Sequence, residues 1–457
     1  MSSLTDPACG GAAPCAGAPW AGSPPAVQWA CPAWNAPSTA EPGAEGVARV
    51  EKVLYLAAHG GFRGQDAPLG GGAAVSEMLL DEWARTRPFE VELISPSILE
   101  GAPSGHDLTD WTERRYARFS REFSLAATRR VLAEDPRRTA VLVNDVSEGP
   151  DFEALAAAGF RVCTIYHVDV VDYVSRFYAQ GWAGPWTLAR VWELARRTPL
   201  GALARGTAGL VFEQQRASLA HSRAVVVPSP AMKEILENCY PRLAAGKIRV
   251  LEWGAPPREQ APPARDLAFP PEALKLLALS RISPEKGQDL LLDALRVWER
   301  RPDFPARPVI LYLCGAAAFM KGRPHLQRLR ERAARLRRVK VQFAGHVTGA
   351  RKRAYFEAAD LYVFPSRHES YGLTLMEALS YGLPAVACDS SGARAALGPG
   401  CGILTPAGDA EAFADALARM AGDQTLRRNC AAAARDWAAA RPFSLAAAQL
   451  AEWIRLL

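Results

Sequence analysis

Residues 361–392 read LYVFPSRHESYGLTLMEALSYGLPAVACDSSG, and this stretch decides the fold of the second half of the chain. Its pattern predicts a buried strand over Leu361–Phe364, a helix over residues 372–381 and a second strand over Ala385–Cys388. A polar loop separates the first strand from the helix, and Gly382 with a proline two residues later ends the helix. Two strands joined through a helix are typical of a parallel α/β sheet.

Glu377 is the only charged residue of that helix, whose other side chains leave almost no polar face. A buried, unpaired carboxylate is costly, so a partner is expected. The helix N-terminus at Tyr371 and Gly372 offers backbone N–H groups to a phosphate, and Glu377 lies about 7.5 Å further along the axis, within reach of a ribose. The alternative is that Glu377 pairs with a structural Arg and that Glu369 is a solvated loop charge.

Glu369 and Glu377 lie eight positions apart within PSRHESYGLTLMEALSYGLPAVA. This segment resembles the signature of the retaining family 4 glycosyltransferases. The resemblance implies the α/β GT-B fold, in which two Rossmann-like domains face a central cleft and the C-terminal helix crosses back to the first domain. It also implies that Glu369 contacts the donor sugar and Glu377 the ribose. The family usually has Gly-Gly-x-x-Glu after the next strand, whereas residues 391–395 are Ser-Gly-Ala-Arg-Ala, which changes one wall of the sugar pocket.

The composition is ordinary for a soluble enzyme and gives enough length for two domains, with 457 residues of which 49% are hydrophobic and 22% charged. The net charge of +6 comes without the dense basic runs of a nucleic-acid binder, so no nucleic-acid partner is expected. Nine scattered cysteines, never in CxxC spacing, indicate reduced thiols in a cytoplasmic protein. No apolar run approaches about 18 residues, so no transmembrane span is expected.

The chain divides into segments of different composition. Residues 1–48 are rich in Ala, Gly, Pro and Ser without periodicity, which predicts a disordered extension that the fold does not require. The segments expected after it are a first Rossmann-like domain on the acceptor side (49–257), a Pro-rich linker (258–271), a nucleotide-sugar-binding Rossmann-like domain (272–441) and the returning helix (442–457).

In the first domain, strands alternate with helices, which predicts a parallel sheet covered on both faces. The opening strand leads into a glycine-rich turn, where Gly71 and Gly72 allow a ligand to approach the next helix. Further strands are predicted over Phe89–Ile94, Ala140–Asn144, Arg161–Tyr166, Ala224–Val227 and Lys247–Leu251.

His167 and Asp169 follow a buried strand, at the edge where open α/β sheets bind ligands. A lone His is usually structural. The resemblance nevertheless implies a His that faces the sugar at this strand end, so His167 is expected to position the substrate. Asp169 is the alternative, as an acceptor contact or a base.

Residues 181–206 mix tryptophans and leucines with arginines, the composition of a basic interfacial helix. Such a helix would give the protein a peripheral contact with the inner face of the membrane. An ordinary amphipathic helix packed on the domain is the favoured alternative.

In the second domain, Arg281 and Lys286 lie on either side of a Pro-containing turn between a strand and a helix. Two fixed cations there can clamp a diphosphate and offset the charge of a leaving group. Surface cations are usually only solvated, but Ser-Arg-x₄-Lys-Gly resembles the family pattern, which implies the clamp. The residues otherwise expected to bind the nucleotide sugar are Gly71, Gly72, Gly315, His346, Ser370, Tyr371, Gly372, Leu373 and Glu377.

Together these features predict a retaining hexosyltransferase that uses a nucleotide diphosphate sugar, with a UDP-sugar favoured over a GDP-sugar. The acceptor is an unidentified sugar, lipid or small molecule. Fixed cations carry the positive charge and no D-x-D pair is placed for an ion, so no metal and no other cofactor is expected. The alternatives are a GT-B disaccharide phosphorylase, a nucleotide-sugar epimerase and a non-catalytic nucleotide-sugar-binding protein. The expected catalytic residues are Glu369, His167, Arg281 and Lys286.

Overall fold

The computed structural model describes residues 49–457 apart from 63–69, 105–107, 109–110, 178–181, 197, 199–206 and 318–321. Residues 1–48, predicted to be a disordered extension, lie outside the described residues. The described chain contains two parallel α/β sheets, one in each half.

The first half forms a parallel sheet from β1 (Lys52–Leu56), β2 (Glu90–Ile94), β3 (Thr139–Val143), β4 (Arg161–Ile165), β5 (Ala224–Val227) and β6 (Ile248–Val250). These six strands lie in the order β2-β1-β3-β4-β5-β6. Strands β3, β4 and β5 are buried along their whole length, as expected for apolar runs in a sheet that helices cover on both faces. The order reverses between β1 and β3, so the loops after these two strands open a crevice at the carboxyl edge.

The helices described in this half are α1 (Gly71–Thr86), α2 (Glu113–Leu132), α3 (Phe152–Ala157), α4 (Val170–Phe177), α5 (Pro185–Ala195), α6 (Thr207–His221), α7 (Pro230–Cys239) and α8 (Pro241–Ala244). Within the segment 181–206, α5 is the described helical part, and residues 181, 197 and 199–206 lie outside the described residues. None of the described helices combines the length and the apolar composition needed to span a membrane.

The second half forms a parallel sheet from β7 (Leu274–Leu279), β8 (Val309–Cys314), β9 (Val339–Gly345), β10 (Leu361–Phe364), β11 (Ala385–Cys388) and β12 (Gly402–Thr405). The order is β12-β11-β10-β7-β8-β9, and it reverses between β7 and β10. Its described helices are α9 (Gln288–Trp298), α10 (Gly322–Ala333), α11 (Gly349–Ala358), α12 (Leu373–Ser380), α13 (Ser391–Ala396), α14 (Ala410–Gly422), α15 (Gln424–Ala439) and α16 (Phe443–Arg455). The strand, helix and strand predicted within residues 361–392 are β10, α12 and β11, each within one residue of its predicted bounds.

The C-terminal helix α16 packs on the first half of the chain, as the GT-B resemblance implied. The Trp83 indole N–H of α1 donates to the Ala447 carbonyl at 3.1 Å, and Arg455 donates to the Pro88 carbonyl at 2.6 Å. The segment that leads into α16 passes close to Gly254. This glycine has φ 71°, and a Cβ added to it would lie 2.3 Å from the Arg441 carbonyl oxygen of that segment. The crossing therefore depends on a glycine at that position.

Replacing Trp83 by Phe is expected to lower the free energy of unfolding by about 1–3 kcal/mol. The indole is 2% exposed, so the variant would lose a buried hydrogen bond and would fill the space of the larger ring incompletely. Chemical denaturation of the two proteins measures the difference. Trp182→Phe is the matched control, because that side chain is 92% exposed, and equal stability of Trp83→Phe and wild type would contradict the prediction.

Candidate functional site

The carboxyl edge of the second sheet brings together the residues expected at the diphosphate and the sugar. Arg281 and Glu369 lie in the loops after β7 and β10, on either side of the point where the strand order reverses. Lys286 Nζ lies 2.6 Å from Glu369 Oε2, and the two side chains are only 12% and 19% exposed. Arg281 contacts the Glu285 carboxylate at 3.5 Å. Three of the four residues expected to be catalytic therefore lie along this one edge.

Two glycines allow the backbone to approach the β10 loop closely. Gly287 has φ 67°, and a Cβ there would lie 2.0 Å from the Pro365 carbonyl oxygen. Gly392 donates its N–H to the Glu369 carbonyl at 2.8 Å, and a Cβ on it would lie 2.7 Å from Glu369 Cγ. Gly392 belongs to the segment that departs from the family pattern. The backbone support of Glu369 is thus present although Ala395 carries no carboxylate.

Both domains hold the loop that carries Glu369. Arg367 donates to both carboxylate oxygens of Asp289 on α9, at 2.6 and 3.0 Å. On the other side of the cleft, His368 Nε2 lies 3.2 Å from Asp172 Oδ2 on α4. The sequence gives no signal for this second contact, because its partners are 196 positions apart. The placement of Glu369 therefore depends on both halves of the chain.

Glu377 has a partner in the structure. It is buried on α12, and Lys352 Nζ of α11 lies 2.7 Å from its Oε1. Burial raises the pKa of Glu377, and the Lys352 ammonium opposes that rise. The structural pairing considered for this carboxylate thus exists, with a Lys in place of the expected Arg. The Lys352 side chain is 30% exposed and can turn to solvent when another donor reaches Glu377.

The residues before α12 link the two domains at the start of this helix. Ser370 is half-buried in the loop, and the Tyr371 hydroxyl accepts the Gly254 N–H at 2.8 Å. Gly372 begins the helix at φ 88° and supplies no side-chain cap to the first turn. The N–H groups of an uncapped first turn are suited to an anion.

The carboxyl edge of the first sheet holds a cluster that sequence reasoning did not identify, formed by His59, Asp145, Glu148 and Tyr116. His59 follows β1, Asp145 and Glu148 follow β3, and Tyr116 comes from α2. Burial opposes a charge on His59, but Asp145 and Glu148 outweigh it and raise the pKa of His59 to about 9. The signal for this cluster was the strand-end position of His59 and Asp145, which becomes informative only when β1 and β3 are known to be neighbours.

His167 lies beside this cluster at the end of β4. Its Nε2 is 3.0 Å from Asn144 Oδ1, and its ring stacks on Trp253 at 6.0 Å between centroids. Burial lowers the pKa of His167 to about 4, so the ring is neutral at pH 7. A Cβ on Gly72 would lie 2.9 Å from His167 Cδ2, so this glycine lets α1 begin against the ring.

Gly71, Gly315 and His346 are the remaining residues predicted to bind the nucleotide sugar, and they lie in different parts of the structure. A Cβ on Gly71 would lie 3.6 Å from Leu373 Cδ1, which places the starts of α1 and α12 against each other. A Cβ on Gly315 would lie 3.6 Å from Arg281 Cα, so the end of β8 adjoins the cation-bearing turn. His346 is exposed after β9, two strands away from β7.

Asp169 lies inside the first domain. It is 2% exposed, and its Oδ1 accepts the backbone N–H groups of Val171 and Asp172 at 2.9 and 3.1 Å, at the start of α4. Burial raises the pKa of Asp169 to about 6. This geometry gives Asp169 a helix-capping contact.

Known proteins resemble this chain in sequence and in structure. Residues 263–437 match the family described as glycosyl transferases group 1. A D-inositol 3-phosphate glycosyltransferase from Corynebacterium aurimucosum is 33% identical over 188 residues, which is 41% of this chain and 44% of that protein. The chain therefore matches less than half the length of that relative.

Two solved structures share the arrangement of both sheets. The sucrose-phosphate synthase from Thermosynechococcus elongatus superposes with a TM-score of 0.63 at 19% identity, over 89% of this chain and 98% of that one. Anabaena HepE in complex with UDP and glucose gives a TM-score of 0.58 at 17% identity, over 89% and 100%. The chain therefore has the GT-B fold and carries, in residues 263–437, a domain of the group 1 glycosyltransferases, as the signature from Glu369 to Glu377 predicted.

Proposed function

We propose that this protein is a retaining hexosyltransferase that uses a nucleotide diphosphate sugar, with UDP favoured and GDP as the second candidate base. The observation that carries the proposal is the Lys286–Glu369 contact of 2.6 Å at the carboxyl edge of the second sheet. A cation for a diphosphate and a carboxylate for a sugar lie next to each other there, beside Arg281. The UDP and glucose bound to Anabaena HepE support this class of donor.

In the proposed reaction, the bond between the anomeric carbon and the diphosphate oxygen breaks, and an acceptor oxygen bonds to the same face of that carbon. Lys286, Arg281 and the start of α12 stabilise the negative charge that grows on the departing diphosphate. The acceptor hydroxyl gives its proton to that diphosphate. Glu369 faces the sugar, where positive charge develops, and neutral His167 orients it from the first domain.

The experiment that tests the proposal incubates the full chain with UDP- and GDP-sugars and a panel of sugar, lipid and polyol acceptors. Nuclear magnetic resonance then identifies the anomeric configuration of the product. A new glycoside of inverted configuration would exclude retention. Turnover that requires inorganic phosphate would favour the phosphorylase. Turnover without any acceptor would favour the epimerase, and nucleotide binding without turnover would favour the non-catalytic binding protein.

We also propose that the diphosphate is bound without a metal ion, because Lys286 and Arg281 supply the positive charge. UDP is therefore expected to bind equally well in excess EDTA and in magnesium. Isothermal titration calorimetry in the two buffers measures the affinity. A loss of more than about tenfold in EDTA, equivalent to ~1.4 kcal/mol, would contradict this prediction.

We propose that the protein is cytoplasmic and contacts the membrane surface peripherally through α5. The buried free cysteines of the described chain would stay reduced in the cytoplasm. Trp182 and Leu194 are 92% and 71% exposed, and Arg190 lies 4.7 Å above the half-exposed Trp186 ring. Aromatic and basic groups exposed together favour an anionic lipid surface.

Replacing both Trp182 and Trp186 by Ser is expected to reduce sedimentation with phosphatidylglycerol vesicles severalfold. Leu445→Ser, at a 60% exposed position on α16, is the control, and equal sedimentation of both variants would exclude this contact.

A further inference from the structure

The cluster of His59, Asp145 and Glu148 lies where open α/β sheets bind ligands. β1 and β3 are neighbours in the first sheet although β2 lies between them in sequence, so the chain leaves their carboxyl ends in opposite directions. His59 follows β1 by three residues, and Asp145 follows β3 by two. The equivalent reversal in the second sheet holds Arg281 and Glu369. Two crevices of the same topological kind therefore each carry a cluster of ionisable side chains.

The three side chains present their ligand atoms to one point. One nitrogen of His59 and one oxygen from each of Asp145 and Glu148 lie within 4.8 Å of one another. His59 Nδ1 is 3.4 Å from Asp145 Oδ1, longer than the usual N–H···O hydrogen bond of about 2.7–3.2 Å. Two ligands of one cation, each about 2.0–2.2 Å from the ion, lie about 3.0–3.5 Å apart. The 3.4 Å spacing suits two ligands of one cation, and without a cation the two side chains form an ion pair at the same distance.

A neighbouring tyrosine fixes the ring of His59. Tyr116 Oη lies 3.0 Å from His59 Nε2 and donates to Glu148 Oε1 at 2.7 Å. The hydroxyl can give its proton to Glu148 only while it accepts from an Nε2–H group, so Nδ1 is the ring nitrogen left to bind a metal ion, and it would release its proton as the ion enters. A histidine that binds metal usually donates its other N–H in this way.

The charge balance of the cluster also favours a cation. Asp145 and Glu148 are two carboxylates at one largely buried position, and Glu148 is 4% exposed. A cation between them would offset both the burial and the repulsion of the two carboxylates.

We propose that His59 Nδ1, Asp145 and Glu148 bind one divalent cation. One imidazole nitrogen with two carboxylates suits Zn²⁺ or Mn²⁺. This site lies in the first sheet and is separate from the Lys286–Glu369 pair that binds the diphosphate. If the proposed transferase function holds, this wall faces the acceptor, and the cation would coordinate acceptor oxygens.

The test uses the full-length, untagged chain, stripped with chelator and free of nucleotide. Electron paramagnetic resonance follows free Mn²⁺ during a titration, and calorimetry follows Zn²⁺. One ion per chain is expected to bind with micromolar affinity or better and to raise the unfolding temperature. Asp145→Asn and His59→Gln should abolish this binding, and Tyr116→Phe should weaken it by about 10–100-fold, because the ring then loses its orientation.

Asp172→Asn is the matched control, because it alters a second His–carboxylate contact of the cleft, 3.2 Å long, that belongs to no group of three possible ligands among the described residues. It should bind the ion as the wild type does. Unfolding curves without metal separate loss of the site from loss of the fold. Tyr116→Phe keeps the aromatic ring and removes only the hydroxyl. Binding weaker than about 1 mM, or binding unchanged in Asp145→Asn and His59→Gln, would overturn the proposal. The titration contains no donor or acceptor, so its result is independent of the proposed glycosyl transfer.

Discussion

Replacing Lys286 by Ala is expected to lower kcat for sugar transfer by about 10²–10³-fold, the usual cost of removing one preorganised group that stabilises transition-state charge. The Lys286 ammonium is only 12% exposed and lies 2.6 Å from Glu369, so water cannot readily replace it. The variant also leaves Glu369 without its cation. Both effects act on the same step, because the diphosphate gains charge as the sugar loses it.

Steady-state kinetics with the best donor found in the screen, together with UDP affinity by calorimetry, measure this effect. UDP affinity should fall by about 10–150-fold, corresponding to the ~1.5–3 kcal/mol of a charge-assisted hydrogen bond. Lys233→Ala is the control, because that lysine is 41% exposed and pairs with Glu237 on the same helix, α7. Unchanged turnover in both Lys286→Ala and Arg281→Ala would show that these cations do not bind the diphosphate.

Replacing each of the two glutamates of the signature by Ala is expected to change the kinetic constants in a different way. Glu369→Ala should lower kcat by about 10²-fold or more with little change in UDP affinity, because the carboxylate faces charge that grows only near the transition state. Glu377→Ala should raise the donor KM more than it lowers kcat, because the ribose does not react and its contact contributes uniform binding.

The structure adds a stability component to this comparison. Glu377 is buried with a raised pKa, and its partner Lys352 is 30% exposed. Alanine would remove a buried carboxylate and let Lys352 extend into solvent, so the nucleotide-free Glu377→Ala variant should unfold near the wild-type temperature. Glu377→Gln keeps the size of the side chain and serves as the control. If Glu377→Ala kept full UDP affinity while Glu369→Ala lost it, the two roles would be reversed.

Two contacts across the cleft connect the segment around Glu369 to the first domain. His368 lies next to Glu369 and reaches Asp172 of the first domain at 3.2 Å, while Tyr371 reaches Gly254 at 2.8 Å. Any opening of the cleft must break both contacts. In the proposed reaction, the loop of Glu369 would therefore take its catalytic position only when the two domains are close, and that closure would exclude water from the donor.

The sequence by itself determined the strand–helix–strand unit at the centre of the second half and the family of its domain. The β10–α12–β11 unit is decided by local apolar runs and by Gly382, so its bounds could be predicted within one residue. The spacing from Glu369 to Glu377 places one carboxylate before a helix and the other within it, which depends only on helix geometry. The glycine-rich turn before α1 was equally local, and Gly72 in it lies at a close approach to the His167 ring.

Only the tertiary structure decided which groups meet. Lys286 and Glu369 are 83 positions apart and touch because β7 and β10 are adjacent strands, and Lys352 reaches Glu377 from a different helix. His59, Asp145 and Glu148 form one cluster because the strand order reverses between β1 and β3. Strand order results from how whole βα units pack, and no local pattern in the chain encodes it.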